Sequence, residues 1–395
     1  MLESTAKPLS KFLNLYQKTD FSLIDGWRDD DHAAAFACFR VSARKILGQI
    51  YKQGRFGPPT SDLAKVAGIS LGAAFDGRIT DTAARHFFEQ EFVPYRFGKT
   101  TGNNKNPVND AISPEGRFRG FVTGYFEPEI DASPSKTAKF SFPLYARPAD
   151  LVELDEETRP VNWDKSIQFA RKTESGYQPY HDRAEIDQGA LAGKGLEIAW
   201  LENPVDAFFI HIQGSARLRF TDGKTRRLSY AGKNGHPYTA IGSVLVRNRI
   251  MSKEQLTMDT LRDWMEQDLE RATKLMRQNR SFIFFTIQDD VDPSLGPVGA
   301  ASVPLTPGRS LAIDHTLFTY GMPVWLTTEL ALPQQAGPFR RLMVAQDTGS
   351  AIKGPARGDI FVGSGREAGM VAGSIRHACE FFVLLPVKSV KPVTP

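Results

Sequence analysis

The 395-residue chain has little of what usually announces a chemistry. It carries two cysteines, Cys38 and Cys379, and neither belongs to a metal-type pair. Both read as buried small hydrophobes, with a single disulfide left open. The seven histidines, at 32, 86, 181, 211, 236, 315 and 377, never pair at ligand spacing, so no metal or other cofactor is expected. There is no Gly-rich phosphate loop ending in Gly-Lys-Ser/Thr, no Gly-x-Ser-x-Gly elbow and no His-Glu-x-x-His. No apolar run approaches the ~18–20 residues that span a bilayer. The first residues, MLESTAKPLSKFLNLY, contain no secretory apolar core and no lipid-acceptor cysteine, which by itself fits a cytoplasmic chain or a mature form. A net charge of +4 is compatible with an acidic polymer but weak, and no Lys/Arg run is interleaved with aromatics, so nucleic acid is not an expected partner.

What is present is a soluble composition, 41% hydrophobic and 24% charged, in a chain long enough for about two domains. The first third reads as helical. Asp31 can cap a helix running to about Lys52, with Phe36, Phe39, Ala43, Ile46, Leu47 and Ile50 at helical spacing, and a second helix begins near Thr80. Residues 100–116 read as a loop. A strand follows over Gly120–Phe126 and Pro128 interrupts it. From about 128 to 283 the texture is short strands and polar turns. Val205–Gln213 reads as a strand, and Asp222-Gly223 as a hairpin turn joining Ala216–Phe220 to Thr225–Ala231. Lys224, Arg226 and Arg227 then fall on the solvated face of that hairpin. A helical stretch spans roughly Lys253–Gln278, with Met258, Leu261, Met265, Leu269, Ala272 and Met276 on one core stripe. Strand signals resume at Ser281, Met322, Leu342 and Glu380, and the closing KSVKPVTP should fray. Late strands joined by Gly-rich, non-helical crossovers point to a small closed barrel.

Three blocks carry polar chemistry. In Leu342–Gly363 an apolar run delivers Asp347 to a Thr-Gly-Ser turn, and Asp359 follows twelve residues later, beyond Gly349, Lys353, Gly354, Arg357 and Gly358. Two acids brought together by tight turns suit acid/base work, whereas either alone can simply cap its own turn. Asp347-Thr348-Gly349 also matches an aspartic-protease loop. That chemistry needs two such loops sharing a proton, and a second is absent, so it would require a dimer. The second block is Gln213-Gly214-Ser215 with Ser229–Tyr238, where Gln213, Ser215, Lys233 and Asn234 offer donors and Tyr230 and Tyr238 flat faces, a mixture suited to sugar hydroxyl and acetamido groups or to a self-satisfied loop. The third, Gly124-Tyr125-Phe126-Glu127-Pro128, is a cleft wall or a strand ending at a proline.

These blocks, together with Gly299–Leu311, occur in the order and spacing of the membrane-bound lytic murein transglycosylase A family, which the chain resembles over roughly residues 120–386. The resemblance implies a mainly β fold with N-terminal helices. A double-psi β-barrel domain would form from residues 1–127 and 284–395, and residues 128–283 would form a smaller inserted β-rich domain, with a glycan groove between the two. It implies cleavage of the β-1,4 bond between N-acetylmuramic acid and N-acetylglucosamine without water, leaving a 1,6-anhydro ring. One carboxyl then suffices as acid and base. Asp359 aligns with that group and needs a raised pKa, Asp347 aligns with a supporting aspartate, and Lys353 and Arg357 would oppose the shift if they point inward. Tyr125, Gln213, Ser215, Tyr230, Lys233, Asn234, Tyr238 and Lys353 are the implied glycan contacts. His211 stands where a third cleft aspartate can occur. The implied partner is the peptidoglycan glycan strand and the implied location the periplasm, with outer-membrane association open; a monomer is the default, since no coiled-coil seam is visible. A non-catalytic glycan-binding scaffold is the competing reading.

Overall fold

The computed structural model describes residues 12, 14–49, 51–72, 79–98, 120–155, 157–164, 167–289, 295–330 and 337–390. Ile50, the whole 100–116 loop and the last five residues therefore lie outside the described residues. The chain divides into two compact units. One comprises residues 1–126, 298–363 and 367–395, the other residues 127–297 and 364–366.

The first unit holds strand β1 (Tyr16–Lys18), helices α1 (His32–Gly48), α2 (Thr60–Ser70) and α3 (Asp81–Glu91), then β2 (Phe92–Phe97) and β3 (Gly120–Glu127). Asp31 accepts the Ala34 N–H at 2.8 Å and starts α1, and the Thr80 hydroxyl starts α3 in the same way. Helix α1 stops at Gly48, short of the expected Lys52. Phe36, Phe39, Phe87, Phe88 and Phe92 interlock edge to face beneath it.

The second unit holds strands β4 (Glu129–Ser133), β5 (Phe142–Tyr145), β6 (Leu151–Glu153), β7 (Phe169–Thr173) and β8 (Gly176–Gln178), then helix α4 (Arg183–Asp187), β9 (Glu197–Leu201) and helix α5 (Pro204–Gln213). Next come β10 (Ser215–Phe220), β11 (Thr225–Lys233), helices α6 (Ile241–Arg247), α7 (Met258–Glu266) and α8 (Leu269–Met276), and β12 (Ile283–Gln288). Six strands run β12-β11-β10-β4-β9-β5, and a bridge from Ala146 to Phe285 links the two ends of the order. The Asp222-Gly223 hairpin forms as read, with Gly223 at φ +81°.

Three readings of this region are corrected. Val205–Gln213 is helical: Asn203 caps it, Pro204 fills the first turn, and Gly214 ends it at φ +82°. Nine apolar-rich residues fit a buried strand and a buried helix equally well, and only the caps distinguish them. The 253–278 stretch is two short helices broken at Asp268, which caps the second, and Leu269 is exposed rather than core. Arg227 is buried, not solvated, and its guanidinium grips the fully buried Glu127 at 2.7 Å, beside Arg217 at 2.9 Å.

The chain then returns to the first unit with β13 (Ser310–Ala312), β14 (Pro323–Thr328), β15 (Phe339–Asp347), β16 (Arg357–Ser364), helix α9 (Gly365–Ser374), β17 (Arg376–Pro386) and the short helix α10 (Val387–Val390). The sheet order is β1-β2-β17-β14-β15-β13-β16-β3, and β17 also pairs with β3, so six of its strands close on themselves. Gly124 of β3 lies against α9, where an added Cβ would stand 2.8 Å from Ile375 Cδ1 and 3.0 Å from Ala372 Cα. Cys38 and Cys379 are both buried, and no disulfide joins them.

A buried ion pair ties the N-terminal segment to this barrel. Arg309 donates both terminal nitrogens to Asp30, at 2.7 and 2.8 Å, while Asp30 accepts the Leu342 N–H and Arg309 donates to the Leu342 carbonyl. Removing one member leaves the other charged and desolvated. Asp30→Ala should therefore lower folding stability by about 3–5 kcal/mol, measured by urea denaturation. A loss near zero would show that water reaches Arg309.

Candidate active site

The site is built on facing residues of β3 and β16. Side chains two apart share a strand face, so Phe121, Thr123 and Tyr125 point together, as do Arg357, Asp359 and Phe361. They meet in that order. Arg357 lies over the Phe121 ring at 5.4 Å, the Thr123 hydroxyl donates to Asp359 Oδ1, and Tyr125 packs against Phe361 at 5.4 Å between ring centroids. Arg357 Nη2 also donates to Thr123 Oγ1 at 2.7 Å, and its Nη1 donates to the Gly358 carbonyl.

Asp347 reaches the same site from β15. The three-residue β13 lies between β15 and β16, and Ala312 is opposite both Asp347 and Asp359. The two aspartates therefore sit two strand spacings apart, roughly 9–10 Å at the backbone. A bulge in β15 makes this possible: Leu311 pairs with Ala345 and Ala312 with Asp347, leaving Gln346 over. The Gln346 amide is fully buried and takes the Cys38 carbonyl at 3.1 Å, the Ser42 hydroxyl at 2.8 Å and the Ser310 hydroxyl. Those contacts hold the bulge and turn Asp347 toward β3.

The two carboxylates differ in what they have to spare. Asp347 Oδ1 accepts the Ala300 and Thr348 N–H groups, both at 2.9 Å, and its Oδ2 accepts the Tyr125 hydroxyl at 2.7 Å. Burial still raises its pKa against those three donors. The Tyr125 phenol, pushed well above its usual range by burial and then by Asp347, stays neutral and donates. Asp359 keeps partial solvent access, and among the described residues only Thr123 hydrogen-bonds to it. Desolvation by the surrounding protein lifts its pKa to about 6; Arg357 and the Thr123 hydroxyl pull down and the Asp347 charge pushes up. One oxygen of a carboxyl half-protonated near pH 6 thus remains for a ligand.

The other expected site residues divide. Of the two cations between the acids, Arg357 acts on Asp359, whereas Lys353 is exposed and lies 3.7 Å from the buried Asp314. In the second unit, β10 and β11 set Ser215 opposite Ser229, and both side chains are buried. Tyr230 is 48% exposed, and Gln213, Lys233 and Tyr238 are partly exposed.

Two residues are reassigned. Asn234 is buried and its amide is spent on the chain: it donates to the His181 and Arg280 carbonyls, both at 2.9 Å, and accepts the Phe282 N–H at 2.9 Å. It is a cross-link rather than a glycan contact. His211 is buried at the end of α5, edge-on to Phe282 at 4.2 Å and facing Arg183 Nη2 at 3.2 Å, and burial holds it neutral. Thr123 was missed as a site residue. Its strand alternation with Phe121 and Tyr125 was the available signal. Among the described residues no group of three or more His, Cys, Asp or Glu side chains could hold a metal ion.

Known proteins share this architecture. The MltA specific insert domain matches residues 121–286 and the 3D domain matches residues 309–385. The chain is 34% identical over 360 residues to membrane-bound lytic murein transglycosylase A of Escherichia coli (strain K12), covering 85% of this chain and 89% of that protein. The Vibrio cholerae protein of the same name is 32% identical over 263 residues, 65% of this chain and 62% of its own length. Among solved structures, a membrane-bound lytic murein transglycosylase from Agrobacterium tumefaciens superposes with a TM-score of 0.81 at 37% identity, over 94% of this chain and 98% of that one. Escherichia coli MltA with bound chitohexaose gives 0.63 at 27% identity, over 92% and 90%. A β-rich, two-unit lytic transglycosylase is the class these matches define. The chain belongs to the membrane-bound lytic murein transglycosylase A family.

The raised pKa of Asp359 has a consequence for stability. The folded state holds that proton more tightly than the unfolded chain, so the group's contribution is full at low pH and is lost as pH rises through about 6. Asp359→Asn should therefore be more stable than the wild type at about pH 7.5, by on the order of 1–3 kcal/mol, and approach it near about pH 4. Urea titrations at the two pH values check this; a gap that does not shrink on acidification would contradict the raised pKa.

Proposed function

We propose that the protein cleaves peptidoglycan glycan strands between N-acetylmuramic acid and N-acetylglucosamine without consuming water, with Asp359 as the single acid and base. The observation that carries this is the contrast between the two aspartates: Asp347 has donors on both oxygens, whereas Asp359 is desolvated and keeps one oxygen open. In the forward step the protonated Asp359 gives its proton to the glycosidic oxygen as the bond to the muramyl C1 breaks. The muramyl C6 hydroxyl then attacks C1, and the Asp359 carboxylate accepts the proton that this hydroxyl loses. A 1,6-anhydro ring closes, the N-acetylglucosamine end leaves with its new hydroxyl, and Asp359 is again protonated. No second water-activating carboxylate is needed, unlike in an ordinary glycosidase. Asp347 serves as a fixed negative charge that favours the protonated state of Asp359.

In this reading the barrel with its N-terminal helices is the catalytic domain, and the inserted unit, about residues 128–283, binds glycan. Gln213, Ser215, Tyr230, Lys233 and Tyr238 would contact sugars there, and Tyr125 and Lys353 would do so in the barrel. The homology to membrane-bound murein transglycosylases points to the cell envelope. We assign the protein to the periplasmic side, acting as a monomer on the wall and associated with the outer membrane.

The test is mass spectrometry of murein sacculi digested with the purified protein. Muropeptides ending in 1,6-anhydro-N-acetylmuramic acid are expected, and Asp359→Asn should reduce their formation by at least about 10³-fold. Reducing ends in their place would mean a hydrolase. Retained binding with no soluble product would favour a scaffold.

A further inference from the structure

Arg357 stands one hydroxyl away from Asp359, and the geometry explains why it does not pair with the carboxylate directly. Its guanidinium lies over Phe121, Nη1 is held by the Gly358 carbonyl, and Nη2 points at Thr123 Oγ1. A hydroxyl that accepts from a guanidinium must turn its own proton elsewhere, and the carboxylate is the acceptor facing it. The chain Arg357–Thr123–Asp359 therefore has one direction. A cation acts on the acid through an oriented hydroxyl, and the carboxyl's second oxygen stays open.

We infer that Arg357 is a positioning residue that sets the working pH range of the acid through Thr123. This rests on the reading of Asp359 as acid and base. A group that must both release a proton and take it back within one turnover works best when neither form is strongly favoured. Burial alone would hold Asp359 as a weak acid. A nearby cation strengthens it and stabilises the carboxylate that must then accept the C6 hydroxyl proton.

Among the described residues, the groups facing Asp359 are few. Thr123 and the neutral Tyr125 come from β3, Asp347 from β15, and Arg357 shares β16. Cys379 of β17, buried and near Arg357, faces the neutral Tyr16. Of these, Arg357 is the cation that acts on the carboxyl, and Asp347 opposes it.

The experiment is a ¹³C-carboxyl NMR titration of the full chain, with Asp359 assigned by difference from Asp359→Asn. It is run beside the pH dependence of kcat/KM on purified sacculi for Arg357→Gln, Arg357→Lys, Thr123→Val and Thr123→Ser. Arg357→Gln should move the Asp359 midpoint up by about one pH unit. The basic limb of kcat/KM should move with it, and kcat should fall about 10-fold. Thr123→Val should shift the midpoint in the same direction, while Arg357→Lys and Thr123→Ser should stay near the wild type. If Arg357→Gln does not fold by circular dichroism, Thr123→Val supplies the reading. An unmoved Asp359 midpoint in a folded variant overturns the inference. A midpoint that moves while the rate profile stays put upholds Arg357's hold on Asp359 but removes Asp359 as the acid.

Discussion

Everything at the site depends on one irregularity in the barrel, the extra residue at Gln346. Strand β13 contributes three buried residues between β15 and β16, and its last, Ala312, faces Asp347 on one side and Asp359 on the other. Strand side chains alternate, so without the bulge Gln346 and Asp347 would exchange faces. The carboxylate would enter the core beside Cys38 and Ser42, and the amide would enter the site. Gln346 has its bonds to α1 and β13 instead, and these fix the register. Helix α1 is itself held to the barrel by interlocked phenylalanines and by the Asp30–Arg309 pair just before its start. The geometry around Asp347 and Asp359 thus leans on helix α1, although none of the described residues of α1 touches either carboxylate.

The electrostatics follow from the same arrangement. Desolvation raises both carboxyls, and the protein gives them different partners. Asp347 has backbone N–H groups and a neutral phenol, donors that fix its orientation. Asp359 has one hydroxyl, which is itself held by an arginine. Burial raises both, but among the described residues nothing occupies the second oxygen of Asp359, whereas both oxygens of Asp347 are taken. Two aspartates twelve residues apart in sequence are thereby made chemically unlike by what surrounds them.

Much of this was legible beforehand. Asp31 and Thr80 announced their helices, the Asp222-Gly223 turn paired its strands, and the apolar run into Asp347 was a strand ending at an acid. Errors fell where local pattern is degenerate. Val205–Gln213 packs apolar residues on both strand and helix faces, and its helix signals lie outside the run, in Asn203, Pro204 and Gly214. Arg227 looked like hairpin surface because its partner, Glu127, is 100 residues away. Asn234 looked like a ligand group for the same reason: its partners are backbone atoms of residues 181, 280 and 282.

The sequence by itself determined which residue types were available. It held two acids on a Gly-rich segment, no metal set, a mainly β second half and blocks in the order of a known family. Those are local or linear properties, and the residues carry them wherever the chain goes. Which acid keeps a free oxygen, whether Arg357 or Lys353 acts on it, and which donors Asn234 satisfies were decided only by tertiary structure. A pKa and a hydrogen bond depend on atoms within a few ångströms, and here those atoms come from β3, β15 and β16, up to 236 residues apart along the chain.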